Sequence, residues 1–302
     1  MADVQNPTAP ATIEWPTLFL VVGFWAGFLA VCLFAKSLPG IVIVIVLALL
    51  GGFYGSLQHE AIHRHPTPLT WLNDALVVLP LGVVQPYSRY KGTHLAHHES
   101  DLTNPIDDPE SYYVTQRHWD RANGLKKAVL RANRTLLFRL SIGPALAIWG
   151  CWASDIRLAR CDKRVARAWL THLFATALVL VVIFVSAVPM WSFLIGFAYF
   201  GLAITMLRSF AEHCAMWASE RTAMVETGWF FSVMFLNNNL HIAHHARPGV
   251  AWYRLPETSR QMGAVARAKN DDSYFRGYRE IARRFGVKSF CQAAHPETTR
   301  AQ

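Results

Sequence analysis

Four stretches of the chain run for about 20 residues each without a Lys, Arg, Asp or Glu, the length that carries a helix across roughly 30 Å of hydrocarbon at 1.5 Å rise per residue. They are Pro16 to Ala35, Pro39 to Gln58, Ala168 to Ala187 and Pro189 to Leu207. Each predicts a membrane-spanning helix. The first is too long, and its upstream residues 1–15 too poor in Lys and Arg, for a cleaved signal peptide, so it is expected to be retained. Two further apolar pieces are interrupted. Trp71 to Tyr87 carries Asp74 and two prolines, and Thr135 to Ala153 carries Arg139 and Pro144. Both are expected at the interface or part way into it, with a fifth span over 135–153 as the alternative for the second. Residues 154–167 read as a basic cytoplasmic helix lying near anionic lipid.

Composition agrees with a bilayer setting. Of 302 residues, 53% are hydrophobic and 16% charged, against about 25% charged in soluble domains. Of the 29 Lys and Arg, only Lys36 precedes residue 59, and the rest lie between Arg64 and Arg167 or between Arg208 and Arg300. With tiny linkers at Lys36–Pro39 and at Val188, the pattern predicts two hairpins with nearly all positive charge on one side, the cytoplasm by the positive-inside rule. The expected fold is therefore all-α: four transmembrane helices as two hairpins under a cytoplasmic histidine-rich cap. Residues 1–302 form one domain in this reading, with a flexible N-terminal tail (1–15) and a cytoplasmic C-terminal tail (262–302). The net charge of +9 is ordinary for such an inner face, and no nucleic-acid motif accompanies it. Cys32, Cys151, Cys161, Cys214 and Cys291 form no CxxC pair and are expected to be reduced.

The chemistry lies in the 13 histidines. Nine fall in four groups: His59 and His63 in "QHEAIH", His94, His97 and His98 in "HLAHH", His213 in "RSFAEH", and His241, His244 and His245 in "HIAHH". On a helix, positions i and i+3 or i+4 share a face with Cβ atoms about 5–6 Å apart, so HxxxH aims two imidazoles at one point. Adjacent histidines diverge by about 100°, so one HxxHH can serve two metal ions. Nine nitrogens exceed one tetrahedral zinc and suit two metals with open positions. His118, His172 and His295 are expected to be structural. His65 points off the HxxxH face, with a metal or supporting role as the lesser alternative.

Residues 59–63 also match HExxH, the zinc metalloprotease pattern with Glu60 as general base. That reading wants a further ligand, often an Asp in a later span, and neither later span carries one. A metal transporter or sensor would want polar residues lining the spans, which here hold no charge and only His172.

The three boxes resemble the integral-membrane fatty acid desaturase superfamily, which includes acyl desaturases, carotenoid ketolases and hydroxylases, and alkane hydroxylases. The flanks agree: "LNNNLHIAHH" before the last pair, "HHARPGVAWYRLP" after it, and "LTNPIDDPESYY" after the second box. The first box has three residues between its histidines and Glu60 where Asp is common. The resemblance runs from about residue 40 to 260. It implies a diiron enzyme of the cytoplasmic membrane face, with His59, His63, His94, His97, His98, His213, His241, His244 and His245 as ligands and O2 as co-substrate. Electrons would come from a separate ferredoxin or rubredoxin. The substrate would be a fatty acyl chain or another lipid, and the reaction desaturation, with hydroxylation or ketolation of a carotenoid or other apolar lipid as the alternative. Imidazole alone fits Zn, Cu, Fe and Ni; iron is what the resemblance implies. Carboxylates expected to orient the imidazoles are Glu60, Glu99, Asp101, Asp107, Asp108 and Glu212. Asn237 stands one turn before His241 and either faces the metals or forms a turn. Arg208 either meets an acidic head group or snorkels to the interface.

Overall fold

The computed structural model describes residues 10–217 and 220–299. Residues 1–9 of the expected N-terminal tail and 300–302 of the C-terminal one lie outside them. The described chain is mostly helical, its two short strands pairing in parallel, Met224–Val225 with Tyr274–Phe275. Among the described residues four helices are long and apolar enough to cross a membrane: Trp15–Ser37, Gly40–Ile62, Lys163–Val185 and Met190–Ser209. These are the four the hydropathy pattern predicts, shifted by a few residues. Pro16 stands in the first turn of the first helix, and Pro39 and Pro189 directly precede the second and fourth. There a missing N–H costs nothing and the fixed φ starts the helix.

The chain divides into two compact units, one of residues 1–91 and 144–205, the other of residues 92–143 and 206–302. In the first, the Gly40–Ile62 and Met190–Ser209 helices meet backbone to backbone. A Cβ on Gly51 would fall 2.3 Å from the Phe197 carbonyl oxygen, and one on Gly201 would fall 2.8 Å from Gly51 Cα. Small residues permit this approach, which replaces the hydrophobic drive that helices lack inside lipid. The fourth helix takes a wider π turn over Phe193–Phe200 at this contact. Around it pack Phe24, Phe28, Tyr54, Phe193 and Phe197, with Phe24 and Tyr54 stacked at 4.9 Å. The Tyr54 hydroxyl donates to the Val77 carbonyl at 2.6 Å. Large apolar side chains stay uncovered on the spans, Phe184 at 79% and Val185 at 75% exposure, as a lipid-facing surface requires.

Among the described residues neither interrupted segment forms a helix long and apolar enough to cross a membrane. Residues 71–87 hold a helix that stops at Val77, and 135–153 is divided at Ile142 between Leu136–Ser141 and Gly143–Ala159. The basic helix expected over 154–167 is corrected. Residues 154–159 end the Gly143–Ala159 helix, and a new helix starts at Lys163, where the Asp162 side chain accepts the Arg164 N–H. An N-cap aspartate satisfies an orphan donor and breaks what composition alone reads as continuous. The break is tied down in the same unit by Asp155, which takes two hydrogen bonds from Arg89, each 2.8 Å, and one from Trp169 Nε1 at 2.9 Å.

The second unit is built of short helices and loops. Its apolar centre gathers Met224, Ile242, Ala264 and Ala268. The C-terminal region is folded, with helices Ala264–Asn270 and Tyr278–Phe285. Beyond them residues 293–295 run beside Val114, which donates to the Ala293 carbonyl and accepts from the His295 N–H.

Candidate metal centre

His94, His97 and His98 lie on the Tyr87–Glu99 helix, His241, His244 and His245 on the six-residue helix His241–Ala246, and His213 just past the fourth apolar helix. All seven belong to the second unit. His97, His213, His241 and His245 each offer a ligand nitrogen within 4.8 Å of the others, and so do His94, His98 and His244 among themselves. The approaching atoms are Nε2. In the first set, His241 and His213 stand 2.9 Å apart and His245 and His241 3.0 Å. In the second, His98 and His94 stand 3.2 Å apart and His244 and His98 3.1 Å. The sets adjoin, with His98 and His245 stacked at 4.3 Å. Nitrogens placed about 2.0–2.1 Å from one ion would be separated by roughly such distances. His59 and His63, in the first unit, are buried at the end of the Gly40–Ile62 helix with their rings 4.8 Å apart.

Several Nδ1 atoms face protein oxygens, which leaves Nε2 for a metal. His97 Nδ1 donates to Asp108 at 2.7 Å, His94 Nδ1 to Glu110 at 3.2 Å, and His213 Nδ1 to the Arg221 carbonyl at 3.2 Å. His241 Nδ1 donates to the Asn238 side-chain oxygen at 3.2 Å, with Glu212 3.6 Å away. Such partners fix the tautomer and raise ligand basicity. Asp108 is itself fixed by the N–H groups of Thr103 at 2.9 Å and Glu110 at 2.8 Å.

Burial, reinforced by neighbouring imidazoles, pushes His98 down to about 2 and His213 to about 3, and holds His241 and His245 well below the ordinary value. These rings are neutral near pH 7, the form that binds a metal. At His97 the downward push of burial is overcome by the Asp108 hydrogen bond and by nearby carboxylates, and the ring is raised. Burial lifts Glu212 to about 7 despite Arg208, whose Nη1 is 2.6 Å away. Glu110 is drawn down to about 2, because the neighbouring His94 outweighs the upward push of burial.

Of the carboxylates singled out in the sequence, Asp108 and Glu212 stand beside imidazoles. Asp101 instead meets Arg221, Asp107 accepts the Asp101 N–H, Glu99 is exposed, and Glu60 is buried in the first unit. Glu110 and Asn238 escaped the sequence reading. Asn237 takes the turn alternative, at φ 53° with its amide on the Trp252 carbonyl. Arg208 neither snorkels nor waits for a head group; it is buried against Glu212. His65 joins Glu14 at 2.7 Å, outside both nitrogen sets. His172 and His295 are buried apart from them. The five cysteines are free thiols.

The profile describing fatty acid desaturases matches residues 35–278, most of the chain. The chain belongs to the fatty acid desaturase family. A comparison with curated proteins returns no match. Membership implies a lipid substrate and a membrane setting, and points to an oxidoreductase. The matched segment contains all nine grouped histidines. The two nitrogen sets could hold metal, and an all-imidazole donor set is compatible with the iron such a family member would use.

Proposed function

We propose that the protein is a membrane diiron oxidoreductase that desaturates a fatty acyl chain. In this reading His97, His213, His241 and His245 hold one iron. His94, His98 and His244 hold the other, and His59 and His63, which the HxxxH spacing presents as a pair, complete the proposed ligand list. The observation that supports it most is the convergence of Nε2 atoms in two adjoining sets, with the Nδ1 atoms of His94, His97, His213 and His241 turned to protein oxygens. Bound iron would supply O2 activation and removal of hydrogen from an unactivated C–H bond. The chain's part is to hold seven to nine imidazoles, four of them in tautomers fixed by Asp108, Glu110, Asn238 and the Arg221 carbonyl as acceptors. The Arg208–Glu212 pair keeps a compensated charge behind His241. Burial of His94, His97, His241 and His244 keeps bulk water from the ligands.

The four apolar helices would stand as two hairpins with the histidines on the cytoplasmic face, the whole chain acting as one domain. Electrons would arrive from a separate ferredoxin- or rubredoxin-like donor.

The test combines metal analysis of the detergent-purified chain with product analysis. Close to two irons per chain, lost in a His97→Ala, His244→Ala variant, together with an acyl product lighter by two hydrogens, is the expected result. A product heavier by one oxygen would replace desaturation by hydroxylation or ketolation. A single zinc that survives the double substitution would overturn the reading and favour a metalloprotease.

A further inference from the structure

The C-terminal segment 293–297 lies beyond the family match, which ends at residue 278, yet it reaches two of the loops that orient metal-facing imidazoles. His295 is completely buried. Its Nδ1 accepts the Glu297 N–H at 3.3 Å, so the proton sits on Nε2, which donates to Thr103 Oγ1 at 3.1 Å. The Thr103 N–H donates to Asp108 Oδ2 at 2.9 Å, and Asp108 Oδ1 receives His97 Nδ1 at 2.7 Å. A continuous chain of hydrogen bonds thus joins position 295 to position 97.

The second arm runs through Arg221. Its guanidinium meets Glu297 at 2.6 Å, Asp101 at 2.8 Å and the Leu102 carbonyl at 2.7 Å. Its own carbonyl accepts His213 Nδ1. Both joints are in the left-handed backbone region, Thr103 at φ 72° and Arg221 at φ 50°. A β-branched residue seldom adopts that conformation and keeps it only where its surroundings over-determine it. Here the determining contacts include the C-terminal segment.

We infer that residues 293–297 are a positioning strap for the metal position formed by the first nitrogen set: His295 through Thr103 and Asp108 sets His97, and Glu297 through Arg221 sets His213. The inference rests on the reading that His97, His213, His241 and His245 bind a metal. His295 and Glu297 touch neither metal nor substrate; they act through other residues.

The experiment is a cobalt(II) titration of the metal-free full chain in detergent, followed by the visible absorption of the bound ion, with thermal unfolding recorded for every variant. The wild type should take up two equivalents. His295→Ala and Thr103→Val should weaken one equivalent about 10-fold, the scale seen when a ligand's hydrogen-bonding support is lost, shift its absorption, and leave the other unmoved. His295→Gln, which keeps a donor near Nε2, and Thr103→Ser, which keeps the hydroxyl, should restore affinity to within about three-fold of wild type. A general packing role would not follow the hydrogen-bonding group in this way. If His295→Ala fails to fold, the near-isosteric Thr103→Val carries the test. Two equivalents at wild-type affinity in a folded Thr103→Val chain would overturn the strap. Fewer than two equivalents in the wild type would overturn the dinuclear reading beneath it.

Discussion

In the unit that carries Gly51 and Gly201, contact is made by taking side chains away: two helices touch through bare backbone, and the neighbouring volume is filled by phenylalanine rings. In the unit that carries His97 and His213, contact is made by matching donors to acceptors, and few buried polar atoms near the imidazoles can be changed without disturbing another. The first arrangement tolerates any chemistry that is small enough. The second tolerates little change in volume or hydrogen bonding, because each imidazole is aimed by a partner that is itself aimed. Stability and metal binding should therefore respond to different residues.

The largest effect is expected at a proposed ligand. His241→Ala should remove one metal equivalent and lower product formation by more than about 100-fold, beyond the loss caused by a missing orienting partner, as measured by metal analysis and turnover on the same sample. Its thermal unfolding in metal-free form should stay close to that of the metal-free parent. Next is Asp108→Asn. Both Asp108 oxygens accept N–H donors, and an amide offers only one oxygen. About 10- to 100-fold weaker metal binding is expected, read by titration of the metal-free chain, with little change in the spans. Gly51→Ala tests the other side of the comparison. The added methyl meets the Phe197 carbonyl, and a cost of about 1–3 kcal/mol should show as a lower Tm in detergent with metal stoichiometry kept. Should Gly51→Ala strip the metal, or Asp108→Asn lower Tm as far as Gly51→Ala does, the contrast between the two units fails.

The smallest effect is a pH dependence within the first unit. Burial raises the Asp155 carboxyl, but the hydrogen bonds from Arg89 and Trp169 outweigh it and hold the group below its ordinary value. A carboxyl depressed in the folded state adds stability that is complete above its unfolded value of about 3.9, and that stability disappears as pH falls through the lower folded value. The Tm gap between wild type and Asp155→Asn should therefore be constant from pH 7 to 5 and narrow below pH 4.

The spans were legible because a run of uncharged residues has one physical meaning in a bilayer, and the paired histidines because helical spacing puts i and i+4 on one face. What the sequence hid was whatever depends on distant pairing. Glu110 lies 16 residues from His94 along a loop without periodicity, and Asn238 rather than Asn237 faces His241 because the backbone turns at Leu236 and Asn237. Arg208 looked free because its partner Glu212 sat among several equivalent carboxylates. The contact between His295 and Thr103, 192 positions apart, leaves no local trace. The Asp162 break was readable as a cap, but the surrounding basic residues masked it.

The glycine seam also bears on traffic. Where two backbones lie in van der Waals contact there is no gap the width of a methylene, and opening one would mean separating the Gly40–Ile62 and Met190–Ser209 helices along their closest approach. That seam is thus a wall rather than a door: a lipid tail could not pass between these two helices there.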